Sequence, residues 1–476
     1  MKIIRPHHTL LVLVALAAAT ALVAFLFPDN GIALGEVKLN FKPWFGKADT
    51  TAVIPAPDID AHLAALDSLA AEPVDTAVNY ARKESIASLQ FANADATSFH
   101  YFFRSLEEAA QGERRVHVFH YGDSQIESDR MTNVLREKLQ SRFGGNGCGL
   151  VCPVPITGSG NILQQQSSNW KRYTSYGYDD GKCKHNNFGA LCSFARFTDV
   201  ETTSSDTTEA WLELRPSSMA TARCKQHEEA MLYFSNPSAP FELSLIAGDS
   251  VISTETVMPA QGVQSRKWSV SSRTKRLRLN FKAVTSPDVH SISLNGAQGV
   301  GVSNIALRGN DGGAFRRVNA SSMQPVLDDL GGELFILQFG GNSVPHLGGE
   351  ASAYRHGQSF GEIIRRFKAM RPQAAIIVIG PSDMSTSIDG VYQTWPYLEQ
   401  LNEGMKAAAF AEGVAFWDMF SVMGGRNSMI AWVNHNPQYA GPDYTHFTPA
   451  GARKMAELLS KAILEEYDGW VRGTGE

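Results

Sequence analysis

Short apolar runs that end in glycine- or asparagine-rich turns and pass into helical stripes recur in two separated stretches of this chain. Val116 to His120 runs into Tyr121-Gly122-Asp123-Ser124. Met131, Val134, Leu135, Leu139 and Phe143 then mark one helical face, which stops at Gly144-Gly145, with Ser128 or Asp129 as the expected cap. The rhythm returns at Gly301. Val302 to Leu307 ends at Arg308-Gly309-Asn310-Asp311-Gly312-Gly313, Leu334 to Phe339 at Gly340-Gly341-Asn342, and Ala375 to Ile379 at Gly380-Pro381-Ser382-Asp383. Helical stripes over Phe360 to Met370 and Tyr397 to Glu412 separate these strands, and Val414 to Trp417 is a last strand. Such alternation predicts an α/β domain, a parallel sheet covered by helices on both faces.

Between about Asn161 and Val302 the helical stripes vanish. Ala210 to Leu214, Ala230 to Phe234, Phe241 to Ile246 and Leu277 to Phe281 are short runs set apart by Ser, Thr, Pro and Gly, which predicts an inserted all-β sandwich. The plan then reads 1–30 as a membrane anchor or signal and 31–112 as a stalk and helical segment. It reads 113–160 and 303–476 as two parts of the α/β domain, and 161–302 as the insertion. Pro28 to Pro73 has the composition of a stalk, and Val74 to Gln111 is expected to be helical. Trp170, Tyr173, Tyr176 and Tyr178 either present faces for sugar rings or cover core at the domain junction.

Thr9 to Phe27 is uncharged, strongly apolar and long enough to cross a bilayer as a helix. Lys2 and Arg5 precede it while Asp29 and Glu36 follow it, so the rest of the chain is expected to be exported, with Ala19-Thr20-Ala21 leaving cleavage open. A formal net charge of -5 with no run of lysine and arginine gives no footprint for nucleic acid. Cys148, Cys152, Cys183, Cys192 and Cys224 cluster in one stretch, so export predicts one or two disulfides and at least one free thiol. Their spacing supports no zinc site, and no metal is expected.

Two motifs carry chemistry. Ser124 follows an apolar strand, and Asp443 stands three residues before His446 in the loop that precedes Thr448-Pro449 and a helix from Ala450 to Leu464. A serine hydroxyl is a poor nucleophile until a base takes its proton, and the base needs a partner that fixes its tautomer. That assigns attack to Ser124, the base to His446 and orientation of the base to Asp443. A tetrahedral oxyanion also needs preformed donors. The N–H of Ser124, the N–H of Gly309 and the amide of Asn342 supply them, with Gly312 or Gly313 as alternatives to Gly309. All of these residues fall beyond carboxyl ends of strands, where open parallel sheets bind their ligands.

The order Gly122-Asp123-Ser124, Gly309, Gly340-Gly341-Asn342 and Asp443-x-x-His446 resembles the conserved blocks of the SGNH (GDSL-type) hydrolases. Ser343 departs from the aspartate common at that place. The resemblance implies a three-layer α/β/α, flavodoxin-like sheet and makes Ser124, His446 and Asp443 catalytic, with Ser124, Gly309 and Asn342 around the oxyanion. A β insertion between the first two blocks is similar to the plan of bacterial peptidoglycan O-acetylesterases, with a carbohydrate-binding-module-like insertion. The implied enzyme is a cofactor-free serine esterase anchored on the periplasmic side of the inner membrane, with an acetylated cell-envelope glycan as substrate. Polysaccharide O-acetyl transfer with the same triad, and glycan binding without catalysis, are the alternatives.

Overall fold

The computed structural model describes residues 13–16, 18–20, 22, 32–34, 37–39, 55–68, 85–177, 181–201 and 205–474. The chain divides into two compact units, Met1–Pro55 and Ala56–Glu476. In the first, Ile32–Leu34 and Val37–Leu39 pair antiparallel. The expected span over 9–27 lies for the most part outside the described residues. Among the described residues no helix is long and apolar enough to cross a membrane.

The second unit is built on five strands: β1 (Arg115–Gly122), β2 (Gly299–Ala306), β3 (Gly332–Gln338), β4 (Ala375–Ile379) and β5 (Ala415–Trp417). They form a parallel sheet in the order β2-β1-β3-β4-β5. β1 lies inside the sheet and is buried from Val116 to Gly122, because both of its faces are covered. Val116 and Val118 join Val302, Leu334 and Ile377 in one apolar cluster, while Phe119 and Tyr121 join Phe335, Leu337 and Val378 in another. This two-residue period sends alternate side chains to opposite helical layers.

Helices α1 (His100–Ala110), α2 (Thr132–Phe143) and α6 (Pro449–Thr474) pack on the first face through Phe102, Leu139 and Leu459. Helices α3 (Ala320–Leu330), α4 (Gly361–Met370) and α5 (Leu398–Ala411) pack on the second through Leu327, Phe367 and Met405. The expected three layers are therefore present. The order also places the chain crossovers from β1 and β2 so that the carboxyl ends of β1, β2 and β3 lie side by side, which is where a site can be built.

The all-β stretch is two antiparallel sheets. One runs in the order Ser250–Val257, Phe241–Ala247, Leu277–Ala283, Thr208–Pro216, Ile162–Gln166. The other runs Val263–Ser269, Glu229–Ser235, Asp288–Asn295, Ser193–Arg196, Lys171–Thr174, with Gly147–Val151 pairing to Asp288–Asn295. Leu212, Phe234, Leu243, Phe281 and Ile292 fill the space between them. The sequence places this stretch at 161–302; in the fold its strands begin at Gly147 and end at Asn295, and Gly299 onward pairs with β1. Trp170 packs edge-on against Phe197 and Phe281, and Tyr173 is 6% exposed and stacks on Phe194. Both therefore serve the core and not a sugar platform. Tyr176 is half-buried and bonded to Arg172, and Tyr178 lies outside the described residues.

Four expectations are corrected. Of the helix expected over Val74 to Gln111, the described residues 85–111 are α-helical at His100–Ala110, preceded by two short 3-10 turns, because Phe91 and Phe99 turn inward to meet α1. Residues 71–84 lie outside the described set. Part of the expected stalk, Ile59–Ser68, is a helix whose Ile59, Leu63 and Leu66 are buried in the same cluster as Met423 and Trp432. All five cysteines are free thiols, with Cys148, Cys192 and Cys224 buried. Neither Ser128 nor Asp129 caps α2: both take positive φ in the preceding turn, and Asp129 instead holds the fully buried Arg136 at 3.0 Å.

The burial of histidine gives the fold an acid limit. His117, His120, His227 and His290 are at most 2% exposed, and burial holds their pKa values at about 3, 4, 4 and 4 against an ordinary 6.5. The folded state thus refuses protons that the unfolded chain accepts, so stability is full above pH 6.5 and falls as pH drops towards 4. His185 acts in the opposite sense. Its hydrogen bond to Asp288, then its contact with Cys183, raise it to about 10, so its contribution is complete below 6.5 and is lost only as pH rises through 10. Each of the four histidines costs ~1.4 kcal/mol per pH unit below 6.5, and together roughly 6 kcal/mol per unit. The urea midpoint is expected to drop sharply between pH 7 and pH 5, and an unchanged midpoint would refute the burial argument.

Candidate active site

The turn after β1 is fixed by its own aspartate. Asp123 N-caps a 3-10 turn, Ser124–Asp129, with Oδ1 accepting from the N–H of Gln125 at 2.9 Å. This sets Ser124 at the first position of the turn, where an N–H has no acceptor inside the helix. Burial pushes the Asp123 carboxyl up to about 6, although the Gln125 N–H and the nearby His446 pull the other way.

The second half of the site is a tight loop before α6. The N–H of Gly441 donates to His446 O at 2.8 Å and that of Tyr444 to Gly441 O at 3.0 Å, which closes the loop on itself. Buried Phe447 packs on Trp432 and anchors one side. On the other, the hydroxyl of Thr448 accepts from the N–H of Gly451 at 3.3 Å, and Pro449 is the first helical residue, the expected cap. Gly451 has no room for a side chain: a Cβ there would lie 1.9 Å from Tyr439 O, so this glycine lets the helix start directly against the loop.

Asp443 is preset by the backbone. Its Oδ1 accepts the N–H groups of Thr445 and His446, each at 3.1 Å, while Oδ2 meets His446 Nδ1 at 2.7 Å. Burial would raise the Asp443 carboxyl, but the bonds from the His446 ring and the two N–H groups outweigh it and hold the pKa below the ordinary range. His446 Nε2 lies 2.8 Å from Ser124 Oγ. Hydroxyl, imidazole and carboxylate are thus joined in one hydrogen-bonded line, which can make the hydroxyl nucleophilic.

The donors expected for an oxyanion border the same cleft, of ≈ 690 Å³, together with Ser124 and His446. Gly309 has φ +72, with open space where a Cβ would be, and its N–H has no hydrogen-bond partner among the described residues. The N–H groups of Gly312 and Gly313 are taken up within their turn by Asn310 Oδ1 and Asp311 Oδ1, at 2.8 and 2.9 Å. Only Gly309 of the three therefore offers a free donor. Asn342 Nδ2 donates to Asn310 O at 3.1 Å and to Asp123 Oδ2 at 3.3 Å. Ser343, the departure from the family pattern, bonds His356 Nε2 at 2.9 Å, away from the triad.

The sequence reading passed over Gln125. Its Nε2 donates to Thr445 O at 2.6 Å, and its Oε1 accepts from the N–H of Phe447 at 3.2 Å, so one side chain grips the backbone on both sides of His446. Nothing in local sequence marks this, since the partners lie about 320 residues away. Gln125→Ala frees the histidine loop without touching the reacting atoms. A loss of kcat of about 10- to 100-fold with little change in KM is expected, the signature of misplacement. Wild-type kcat in this variant would remove Gln125 from the account.

Residues 248–454 match the GDSL-like Lipase/Acylhydrolase family model, a segment that takes in Gly309, Asn342, Asp443 and His446 and begins after Ser124. No curated protein sequence matches the chain. Among solved structures, a peptidoglycan O-acetylesterase aligns at 22% identity over 80% of this chain and 99% of that one, with a TM-score of 0.61. A salicylyl-acyltransferase from a tetracycline biosynthetic pathway aligns at 11% identity over 66% and 96%, TM-score 0.28. A family two carbohydrate esterase from Clostridium thermocellum, solved with cellohexaose, aligns at 10% over 63% and 99%, TM-score 0.26. The first of these likenesses is one of fold.

Proposed function

We propose that this chain, which carries a GDSL-like lipase/acylhydrolase domain, is a serine esterase that removes O-acetyl groups from a cell-envelope polysaccharide, peptidoglycan foremost. The reading rests on one observation above the others: Ser124 Oγ, His446 and Asp443 joined at 2.8 and 2.7 Å on the wall of an open cleft. The fold shared with a peptidoglycan O-acetylesterase supports it. Export and anchoring through residues 9–27, with the catalytic body on the periplasmic side, belong to the same proposal.

In the proposed course Ser124 Oγ attacks the acetyl carbonyl and His446 Nε2 takes its proton. The oxyanion meets the N–H groups of Gly309 and Ser124 and the amide of Asn342, whose 3.3 Å contact to Asp123 is the weaker of its two and the one exchanged. Collapse expels the sugar oxygen, which receives the proton from His446. Water, deprotonated by the same imidazole, then attacks the acetyl-enzyme and releases acetate.

Acetate release from O-acetylated peptidoglycan, compared with acetylated xylan, tests the reading. Free acetate supports it. Acetyl groups passed to an added glycan acceptor with little free acetate would convert it to a transferase, and no acetyl movement from any acetylated glycan would refute both.

A further inference from the structure

The overall charge of the chain is negative, yet the wall beside Ser124 carries two arginines, Arg130 and Arg308, both bordering the catalytic cleft. Their arrangement is not that of an ordinary ion pair. Glu127 is buried, its side chain 5% exposed, and its two oxygens bind Arg308 Nε at 2.6 Å and Nη2 at 2.5 Å. The Arg308 side chain it holds is 52% exposed. A buried carboxylate is costly, and here it fixes the plane of a cation that faces solvent. One edge of Arg308 is thus occupied, and Nη1 has no partner among the described residues.

Arg130 stands beside this pair. Its Nε donates to Glu127 O at 3.1 Å and its Nη1 to Phe447 O at 3.3 Å, which leaves Nη2 without a partner among the described residues. Arg308 is also the immediate neighbour of Gly309, so whatever it binds lies within one residue of the oxyanion donor. Arg308 and Glu127 border a second cleft of ≈ 310 Å³ as well, which runs past Ile162 and Gln164 to Arg172 of the sandwich. The Nε of Arg172 is buried without a partner.

We propose that the substrate is an acidic glycan: a carboxylate near the acetylated hydroxyl docks on Arg308 with Arg130 beside it, and the strand continues along the second cleft towards Arg172. The inference rests on the esterase reading and narrows its substrate. A planar guanidinium with a free edge matches a carboxylate, whereas neutral xylan offers it nothing. The carboxylate comes either from a uronate ring or from a peptide-bearing muramic residue, and both share this chemistry.

The test compares kcat/KM on three probes: acetylated oligogalacturonate, an acetylated disaccharide-peptide from peptidoglycan, and acetylated xylo-oligosaccharide. It uses the full chain and the double variant Glu127→Gln/Arg308→Gln, which leaves no buried unpaired carboxylate. Wild type is expected to favour at least one acidic probe over the neutral one by roughly 10- to 100-fold, and the double variant to bring that ratio near one. Added salt should erode the preference. The better acidic probe identifies the source of the carboxylate.

Binding of unacetylated oligogalacturonate and of the deacetylated disaccharide-peptide to Ser124→Ala, with and without the Glu127/Arg308 changes, reads the subsite without turnover. Binding of either ligand that weakens when the pair is removed supports the subsite even if the esterase reading fails. Equal rates on acidic and neutral probes in the wild type, a ratio that survives in the double variant, or binding of neither ligand would overturn it.

Discussion

Ser124→Ala is expected to reduce kcat/KM on a chromogenic acetyl ester by about 10⁴-fold or more, and His446→Ala by a similar factor. In the proposed mechanism the two groups act as one unit: the hydroxyl at 2.8 Å from Nε2 needs the imidazole to take its proton, and the imidazole has nothing to deprotonate without the hydroxyl. The double variant should therefore lose no more than either single one, where independent contributions would multiply. Ser124 is half-buried and its hydroxyl is bonded to His446, so the alanine leaves no cavity in the core and unfolding is not a competing explanation. Mass measurement of a rapidly quenched reaction should find the acetyl group on the peptide containing Ser124 in the wild type and nowhere in the variant. Turnover within tenfold of wild type in both single variants would remove the triad from the mechanism.

The sheet and the residues at its edge were legible because each signal is local. An apolar run ending in Asp123-Ser124, Gly309 or Gly341-Asn342 announces both a strand and what stands beyond its end, and Thr448-Pro449 announces the helix that steadies His446. What stayed hidden is held by partners remote in sequence. Gln125 acts through the backbone of Thr445 and Phe447, and Arg308 through Glu127 some 181 residues away, so neither pairing has a local pattern. The aromatic cluster from Trp170 to Tyr176 left sugar platform and core cover open for the same reason, since exposure is decided by partners from other strands: Phe197, just past the neighbouring strand, and Phe281 of the opposite sheet close over Trp170. Clustered cysteines likewise suggested bridges, yet Cys192 points into a core of Phe188 and Phe194 while Cys224 lies against Arg136.

Asp443→Asn should lower kcat by about 10³- to 10⁴-fold while leaving the loop in place. The loop survives because the asparagine oxygen can still accept the N–H groups of Thr445 and His446, which bind Oδ1 at 3.1 Å in the native protein. The chemistry does not, because an amide NH₂ now faces Nδ1, where a carboxylate stood at 2.7 Å. A donor there favours the tautomer with its proton on Nε2, so the ring offers Ser124 a hydrogen where it must offer a lone pair. Asp443→Ala distinguishes this from simple loss of charge. It removes the carboxylate and leaves Nδ1, on a ring whose side chain is 38% exposed, open to water, so the correct tautomer stays accessible. Alanine is therefore expected to be more active than asparagine, against the usual order for a conservative change. A thermal melt on each variant separates this from disorder, since alanine, which loses both backbone bonds, should be the less stable of the two. Asparagine equal to wild type in kcat would mean that Asp443 shapes the loop and nothing more.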